Sequence, residues 1–171
     1  MREVILDTET TGIFSLDRHR VVEIACVELV NMMATGRSLQ LYLNPEMPMP
    51  AEAYKVHGLS DEFLADKPLF ADKVDELIEF LGDAQLVIHN AQFDLGFINA
   101  ELVRAGRPQL TNAYVDSYLL AKRNFPLKLA TLGALCQRLN IDYTLGARYS
   151  ALAASELLAK IYLELSKEAT A

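Results

Sequence analysis

The first forty-odd residues alternate between apolar and polar positions in the way that β-strands do. Residues 4–6 form a short apolar run that ends at Asp7, and residues 20–30 and 38–43 alternate over several positions. Alternation with a period of two is typical of a strand, and turn residues separate the three segments. The pattern predicts three antiparallel strands joined by hairpins, with the second turn at residues 31–36.

Farther along the chain, apolar residues recur at helical spacing. Residues 70–81 carry an apolar stripe that ends before Gly82, which predicts one amphipathic helix. Three prolines within residues 45–50 break the sheet and predict a loop that carries Tyr54, His57 and Gly58. A short helix follows, with Ser60 as its cap.

The second half of the chain predicts one further strand and four helices. We expect the strand over residues 85–89 and the helices over residues 90–106, 116–124, 131–139 and 147–166, with Asn90 and Thr131 as caps. A strand followed by a helix implies a crossover to a parallel strand. The predicted fold class is therefore α/β, a mixed sheet of three antiparallel strands and then parallel strands, flanked by helices.

Composition supports one globular domain over residues 1–171. The chain is 51% hydrophobic and 23% charged, and it shows no linker, internal repeat or low-complexity tract. No signal-peptide pattern and no apolar run of about 18 residues is present, so we expect a cytoplasmic protein without a membrane partner. Cys26 and Cys136 lie in apolar patterns and are expected to be buried free thiols.

The net charge of −7 bears on the class of partner. It argues against a protein that coats nucleic acid electrostatically. It does not exclude a protein that holds a few nucleotides through bound metal ions, because divalent cations offset carboxylate charge locally.

Two carboxylates at the end of the first strand are the first candidate for chemistry. Asp7 and Glu9 are two residues apart, so their side chains point to the same face. Two acids on one face repel each other, and Mg²⁺ or Mn²⁺ is the usual counter-ion. The alternative is that both acids merely decorate the exit of a strand. Asp94, one turn into the helix after the fourth strand, is a third acid at the same expected edge of the sheet.

With these residues the chain resembles the DnaQ-like (DEDDh) 3′-5′ exonucleases. Within that family it is most similar to the exonuclease domain of bacterial DNA polymerase III epsilon subunits. The resemblance runs from residue 2 to residue 165, and the segments 6–12, 56–64, 89–97 and 157–165 carry it. It implies a ribonuclease-H-like fold.

The resemblance also implies a two-metal site and a pocket for the terminal nucleotide. Asp7 would bridge both ions, Glu9 would bind the ion that activates water, and Asp94 would support the second ion. The pocket would be lined by Thr10, Ile13, His57 and Phe93. For two of these residues a structural role is an equal alternative: His57 packing a loop and Phe93 belonging to the core.

The fourth motif departs from the family pattern. The family has a general-base histidine followed, five positions on, by an aspartate, and Tyr149 and Ala154 stand at these positions here. A related branch uses tyrosine with an acid four positions on, which falls at Ala153. The nearest carboxylate, Glu156, is two positions past Ala154 and turned away by about 200°. We therefore expect one weakened metal site, a missing general base and little activity.

Two functions follow from this pattern. The first is a metal-dependent 3′-5′ exonuclease of the proofreading type, impaired at its fourth motif, that acts on a single-stranded 3′ end of DNA or RNA. The second is an inactive exonuclease-fold module that binds a nucleic-acid end or a DNA polymerase subunit.

Overall fold

A computed structural model describes residues 1–13, 18–143 and 150–168. Its five-stranded sheet has the order β3-β2-β1-β4-β5. The pairs β1–β2 and β2–β3 are antiparallel, and β1–β4 and β4–β5 are parallel. The predicted mixed sheet is therefore confirmed. The strands are β1 (Arg2–Thr10), β2 (Val21–Val30), β3 (Met33–Tyr42), β4 (Gln85–Ile88) and β5 (Tyr114–Asp116).

The helices cover both faces of the sheet. Within the described residues they are α1 (Ala51–His57), α2 (Asp61–Leu64), α3 (Phe70–Leu81), α4 (Ala91–Arg104), α5 (Ser117–Asn124), α6 (Leu132–Leu139) and α7 (Ala151–Glu168). None of these helices is both long enough and apolar enough to cross a membrane.

The alternation of β1 decides which helix meets which side chain. Val4 and Leu6 are buried in one cluster with residues of α3 and α4, whereas Ile5 packs with Leu158 and Tyr162 of α7. Because side chains alternate between the two faces of a strand, those that share the parity of Ile5 face α7. This arrangement places residues 7 and 9 on the α7 side of β1.

The turn predicted at residues 31–36 is wrong. Asn31 and Met32 alone make the turn, with φ of 51° and 63°, and β3 starts at Met33. Positive φ at both central residues suits the twist of a two-residue hairpin. Gly36, which suggested a turn, lies inside β3 with φ of 82°, where the β2–β3 register shifts.

The loop predicted before Gly58 contains a helix. α1 directly follows Pro50, and Gly58 ends it in the left-handed conformation with φ of 70°, donating its N–H to the carbonyl of Tyr54 at 2.8 Å. A proline immediately before a helix is compatible with it, since the first N–H groups of a helix lack intrahelical partners. The prolines therefore mark the start of α1 and not an extended loop.

Two helix starts also differ from the prediction. The segment predicted as a helix from residue 116 begins with the last residue of β5, and Asp116 caps α5. Asn90 lies in the left-handed conformation without a side-chain capping bond, and Asp116 instead accepts the N–H groups of Asn90 and Ala91. The start predicted for the last helix, residue 147, lies outside the described residues. The caps at Ser60 and Thr131 are confirmed.

Candidate active site

The first two acids lie near the end of β1. Glu9 is buried with 8% of its surface exposed, and Asp7 is partly buried. Their cross-strand neighbours on β2 are Ala25 for Asp7 and Glu23 for Glu9. No hydrogen bond to either carboxylate is present among the described residues. Both acids are therefore withdrawn from water without a donor that compensates their charge.

Asp94 reaches the same region from the first turn of α4. Its Oδ1 accepts a hydrogen bond from the hydroxyl of Thr8 at 2.7 Å, and only 3% of the residue is exposed. Burial raises the pKa of Asp94 to about 7, which the Thr8 hydrogen bond opposes. This contact ties α4 to β1 between the two acids of the strand.

The charge of Asp94 adds to the raised pKa values of both Asp7 and Glu9. The pKa of Asp7 is well above its ordinary value, first because the group is buried and then because Asp94 and Glu9 repel its charge. The pKa of Glu9 is raised to about 8 by burial and by the charges of Glu23 and Asp94. Carboxylates in this condition are stabilised by a cation or by protonation.

Oxygen ligands of this kind suit a hard divalent cation. Within residues 1–13, 18–143 and 150–168, however, no group of three or more His, Cys, Asp or Glu side chains is placed to hold a metal ion. Ligation of a metal ion by Asp7, Glu9 and Asp94 therefore stays a prediction. A second ion at Glu9 would lack the carboxylate that the family pattern places at position 154.

The fourth-motif position is apolar. Ala154 lies in the first turn of α7 with 1% of its surface exposed, and its N–H donates to the carbonyl of Ser150 at 3.0 Å. Ser150 caps the helix through a side-chain bond from the N–H of Ala153 at 3.2 Å. Glu156 is exposed. Tyr149 lies outside the described residues, so its predicted place in the site stays a prediction.

Glu23 is a further acid at this site that the sequence interpretation missed. It is fully buried, and its pKa is raised by burial. Oε1 accepts from the side-chain amide of Gln40 at 2.8 Å, and Oε2 accepts from the backbone N–H of Ala151 at 3.1 Å. The signal was present, since a glutamate in a mostly buried strand needs a partner.

The predicted pocket residues share one cavity. A cavity of about 440 Å³ opens beside Glu9, and Thr10, Ile13, His57 and Phe93 all contribute to its lining. Its size is in the range of small-molecule sites. The structure thus brings the four residues together, and their contact with a nucleotide stays a prediction.

The two alternatives for His57 and Phe93 also have structural support. The N–H of Leu59 donates to Nδ1 of His57 at 3.1 Å, so the ring proton is on Nε2, which donates to the carbonyl of Thr10 at 3.2 Å. Burial lowers the pKa of His57. Both ring nitrogens are therefore engaged, and only the carbon edge can face a ligand. Phe93 packs on Phe97 at 5.0 Å between ring centroids.

His19, which lines the cavity beside Glu9, is a second residue that the sequence interpretation missed. Its Nδ1 lies 3.1 Å from the hydroxyl of Thr11. A Cβ at Gly12 would come within 2.5 Å of the His19 ring, so a larger residue there would displace that ring. Gly12 and His19 are seven positions apart, and no local sequence pattern indicates that they are in contact.

Comparison with known proteins places this geometry in a family. A family model described as exonuclease, RNase T, matches residues 4–153. DNA polymerase III subunit epsilon of Rickettsia felis is 45% identical over 171 residues, covering 97% of this chain and 74% of the relative. The subunit of the same name from Escherichia coli K12 is 41% identical over 174 residues, covering 96% and 71%.

Solved structures give the same result for the fold. Exonuclease X in complex with 5′ overhanging duplex DNA matches with a TM-score of 0.80 at 22% identity, covering 99% of this chain and 93% of that one. The nuclease domain of 3′hExo, a DEDDh family member bound to rAMP, matches with a TM-score of 0.81 at 15% identity, covering 98% and 92%. These likenesses confirm the ribonuclease-H-like fold. The family model that matches residues 4–153 and the relatives at 45% and 41% identity show that the chain belongs to the exonuclease family.

Proposed function

We propose that this protein is a metal-dependent 3′-5′ exonuclease domain whose catalytic site is impaired at the fourth motif. The observation that carries the proposal is that Asp7, Glu9 and Asp94, which are wholly or partly buried, have raised pKa values beside a cavity that Glu9 lines, in an exonuclease-family chain. Buried acids of this kind are a common feature of catalytic and metal-binding sites.

The proposed reaction is hydrolysis of the last phosphodiester of a single strand. Water oxygen bonds to phosphorus, the bond from phosphorus to the 3′ oxygen breaks, and that oxygen takes up a proton as the terminal nucleotide leaves. Asp7 and Asp94 would hold one divalent ion, Mg²⁺ or Mn²⁺, and Glu9 a second. The ions, when bound, would activate the water and stabilise the leaving oxygen.

The residues of the cavity have positioning roles in this proposal. Ile13 and Phe93 offer apolar contact to the terminal base and sugar, and Thr10 offers polar atoms at the end of β1. His57 orders the backbone of Thr10 and Leu59 through its two ring nitrogens. This arrangement would orient the terminal phosphodiester next to Glu9.

The proposed impairment has two parts. Ala154 supplies no metal ligand. Its side chain is a buried methyl group at the position where the family pattern has a carboxylate. Tyr149, with an ordinary pKa near 10, would be a poor general base at neutral pH. Losing a general base costs about 10²–10⁴-fold in rate, so we propose weak activity.

The test is a nuclease assay on a single strand labelled at its 3′ end, with Mn²⁺ and with Mg²⁺. The unchanged protein is compared with the double variant Tyr149→His/Ala154→Asp and with each single variant. We expect the double variant to gain at least about 10²-fold and each single variant to gain little, because base and ligand act on the same water. Asp7→Asn in the double background is the control and should abolish the gain.

A second candidate is favoured by the same position. Because a buried alanine, which cannot bind a metal ion, stands at the position of the family's last aspartate, the protein is also suited to act as an inactive module that binds a nucleic-acid 3′ end or a DNA polymerase subunit. A double variant that folds, binds two metal ions and still releases no nucleotide would select this function. In either case we propose one domain over residues 1–171 and a cytoplasmic location.

A further inference from the structure

Residues 117–141, the basic segment, differ in charge from the rest of the chain. They contain Lys122, Arg123, Lys128 and Arg138 and no acidic residue, although the chain as a whole has a net charge of −7. All 23 acidic residues therefore lie elsewhere. The basic segment comprises α5, the loop that follows it, and α6.

These four cations have no acidic partner, a condition that they share with Arg18 and Lys160 among the described residues. Nine other basic residues form ion pairs with Asp or Glu: Arg2, Arg20, Arg37, Lys55, Lys67, Lys73, Arg104, Arg107 and Lys167. Positive charge in the basic segment is thus left for an external anion.

Two of the cations shape the loop between α5 and α6. Lys122 donates to the carbonyl of Lys128 at 2.8 Å, and Arg138 donates to the carbonyl of Leu129 at 3.1 Å. Hydrogen bonds to neutral carbonyls leave both charges uncompensated. The loop they hold exposes Leu127 completely and Leu129 to 73%. Cations next to exposed apolar side chains offer contacts to both the phosphates and the bases of a strand.

The basic segment begins at the acid site. Asp116 accepts the N–H groups of Asn90 and Ala91, where α4 starts, and its charge contributes to the raised pKa of Asp94. From there Ser117 lies 2.9 Å from the His89 ring, and that ring contacts Tyr118 edge-on at 5.7 Å. Lys122 lies 5.8 Å from the Tyr118 ring centroid. A chain of contacts thus leads from the start of α4 to Lys122.

We propose that the basic segment binds the phosphates of a single nucleic-acid strand upstream of its 3′-terminal nucleotide. This inference rests on the proposed function and adds the path of the strand. The terminal nucleotide occupies the cavity beside Glu9, and the preceding nucleotides run over Tyr118 and the loop that Lys122 and Arg138 hold. Arg123 and Lys128 also contact phosphates. Unlike those of Lys122 and Arg138, their side chains do not hold the loop between α5 and α6.

The test measures strand binding and not cleavage. A fluorescent strand of about 12 nucleotides, with phosphorothioate linkages at its 3′ end, is titrated in Mn²⁺ at several salt concentrations. The variant Arg123→Gln/Lys128→Gln is compared with Lys73→Gln/Arg107→Gln, a matched pair with the same charge change whose cations form ion pairs with Glu76 and Asp75. A labelled dinucleotide, which occupies only the cavity, is titrated in parallel.

We expect Arg123→Gln/Lys128→Gln to bind the longer strand about three- to tenfold more weakly. The slope of log Kd against log salt should fall by about 0.7 for each lost phosphate contact. Dinucleotide binding and the matched pair should be unchanged. Equal binding by the two double variants would overturn the inference, as would transfer of the effect to vesicles of anionic lipid. If the unchanged protein binds no strand at all, the proposed function fails instead.

Discussion

Glu23 on β2 accepts the backbone N–H of Ala151 at 3.1 Å and so fastens the start of α7 to the sheet. The two residues are 128 positions apart in sequence. Glu23 also pairs across the strands with Glu9, whose pKa its charge raises. One buried carboxylate therefore both positions the fourth-motif helix and adds negative charge to the acid site.

Replacing Glu23 should separate these two roles. Glu23→Ala leaves the Ala151 N–H and the Gln40 amide without a buried acceptor, and we expect a loss of about 2–4 kcal/mol in the free energy of unfolding. Glu23→Gln retains one acceptor and should lose about 1 kcal/mol. Urea unfolding gives these values, and amide hydrogen exchange of residues 151–154 should be faster in the alanine variant alone. Equal stability of the two variants would argue against the anchoring role.

The metal-free protein should lose stability as the pH rises. The folded-state pKa values of about 8 for Glu9 and about 7 for Asp94 lie above the ordinary values of 4.5 and 3.8. The folded state therefore holds protons that the unfolded state releases, and its stability falls from about pH 4 to pH 8 and then levels. Each pKa unit corresponds to about 1.36 kcal/mol, so the two shifts together correspond to a loss of up to about 9 kcal/mol.

Urea unfolding in a chelator at pH 5 and at pH 8.5 measures this change. In Glu9→Gln/Asp94→Asn the two acids cannot titrate, so the dependence on pH should be much flatter. A stability that is independent of pH in the unchanged protein would show that these carboxyls are not buried as described.

Mn²⁺ binding should be unequal at the two sites. In the proposed site, one ion has two carboxylate ligands, Asp7 and Asp94. The ion at Glu9 lacks its second carboxylate, because Ala154 stands at the position of the family's last aspartate. We expect calorimetric titration to give one site that is at least about tenfold weaker than the other. Two tight sites of equal strength would contradict this prediction.

Asp94→Asn should act on the tighter site. The neutral amide is a poorer ligand for a hard cation, so Mn²⁺ affinity should fall. It also removes one of the mutually repelling charges, so the metal-free protein should become slightly more stable above pH 7. Unchanged Mn²⁺ affinity would show that Asp94 is not a ligand.

Ala154→Asp should make stability depend on metal. The new carboxylate is buried near other acids, and we expect the metal-free protein to lose about 3 kcal/mol at pH 8. Mn²⁺ at about 100 times its Kd contributes about 2.7 kcal/mol and should largely offset the loss. Ala154→Asn has a side chain of nearly the same size without the charge. If both variants respond equally to Mn²⁺, position 154 does not face the metal site.

Local pattern was sufficient for several parts of this fold. The two-residue spacing of Asp7 and Glu9 places both on one face of β1, since alternation is a property of the extended chain. The helix at residues 70–81 and the caps at Ser60 and Thr131 also follow from local spacing and hydrogen-bonding capacity.

Short elements could not be predicted in this way. α1 has seven residues, of which only Ala53 and His57 are buried, too few to show a periodic stripe. β5 has three residues and exists through its pairing with β4, not through its own pattern. Elements of this length owe their conformation to tertiary contacts.

Remote contacts complete the site. Thr8 and Asp94 are 86 residues apart, and nothing in either segment indicates the hydrogen bond between them. The raised pKa values likewise depend on burial and on charges that come from β1, β2 and α4. The amino-acid pattern determines which acids are present and which face each strand offers, whereas only the folded chain decides which acids meet, because proximity and desolvation are properties of three-dimensional packing.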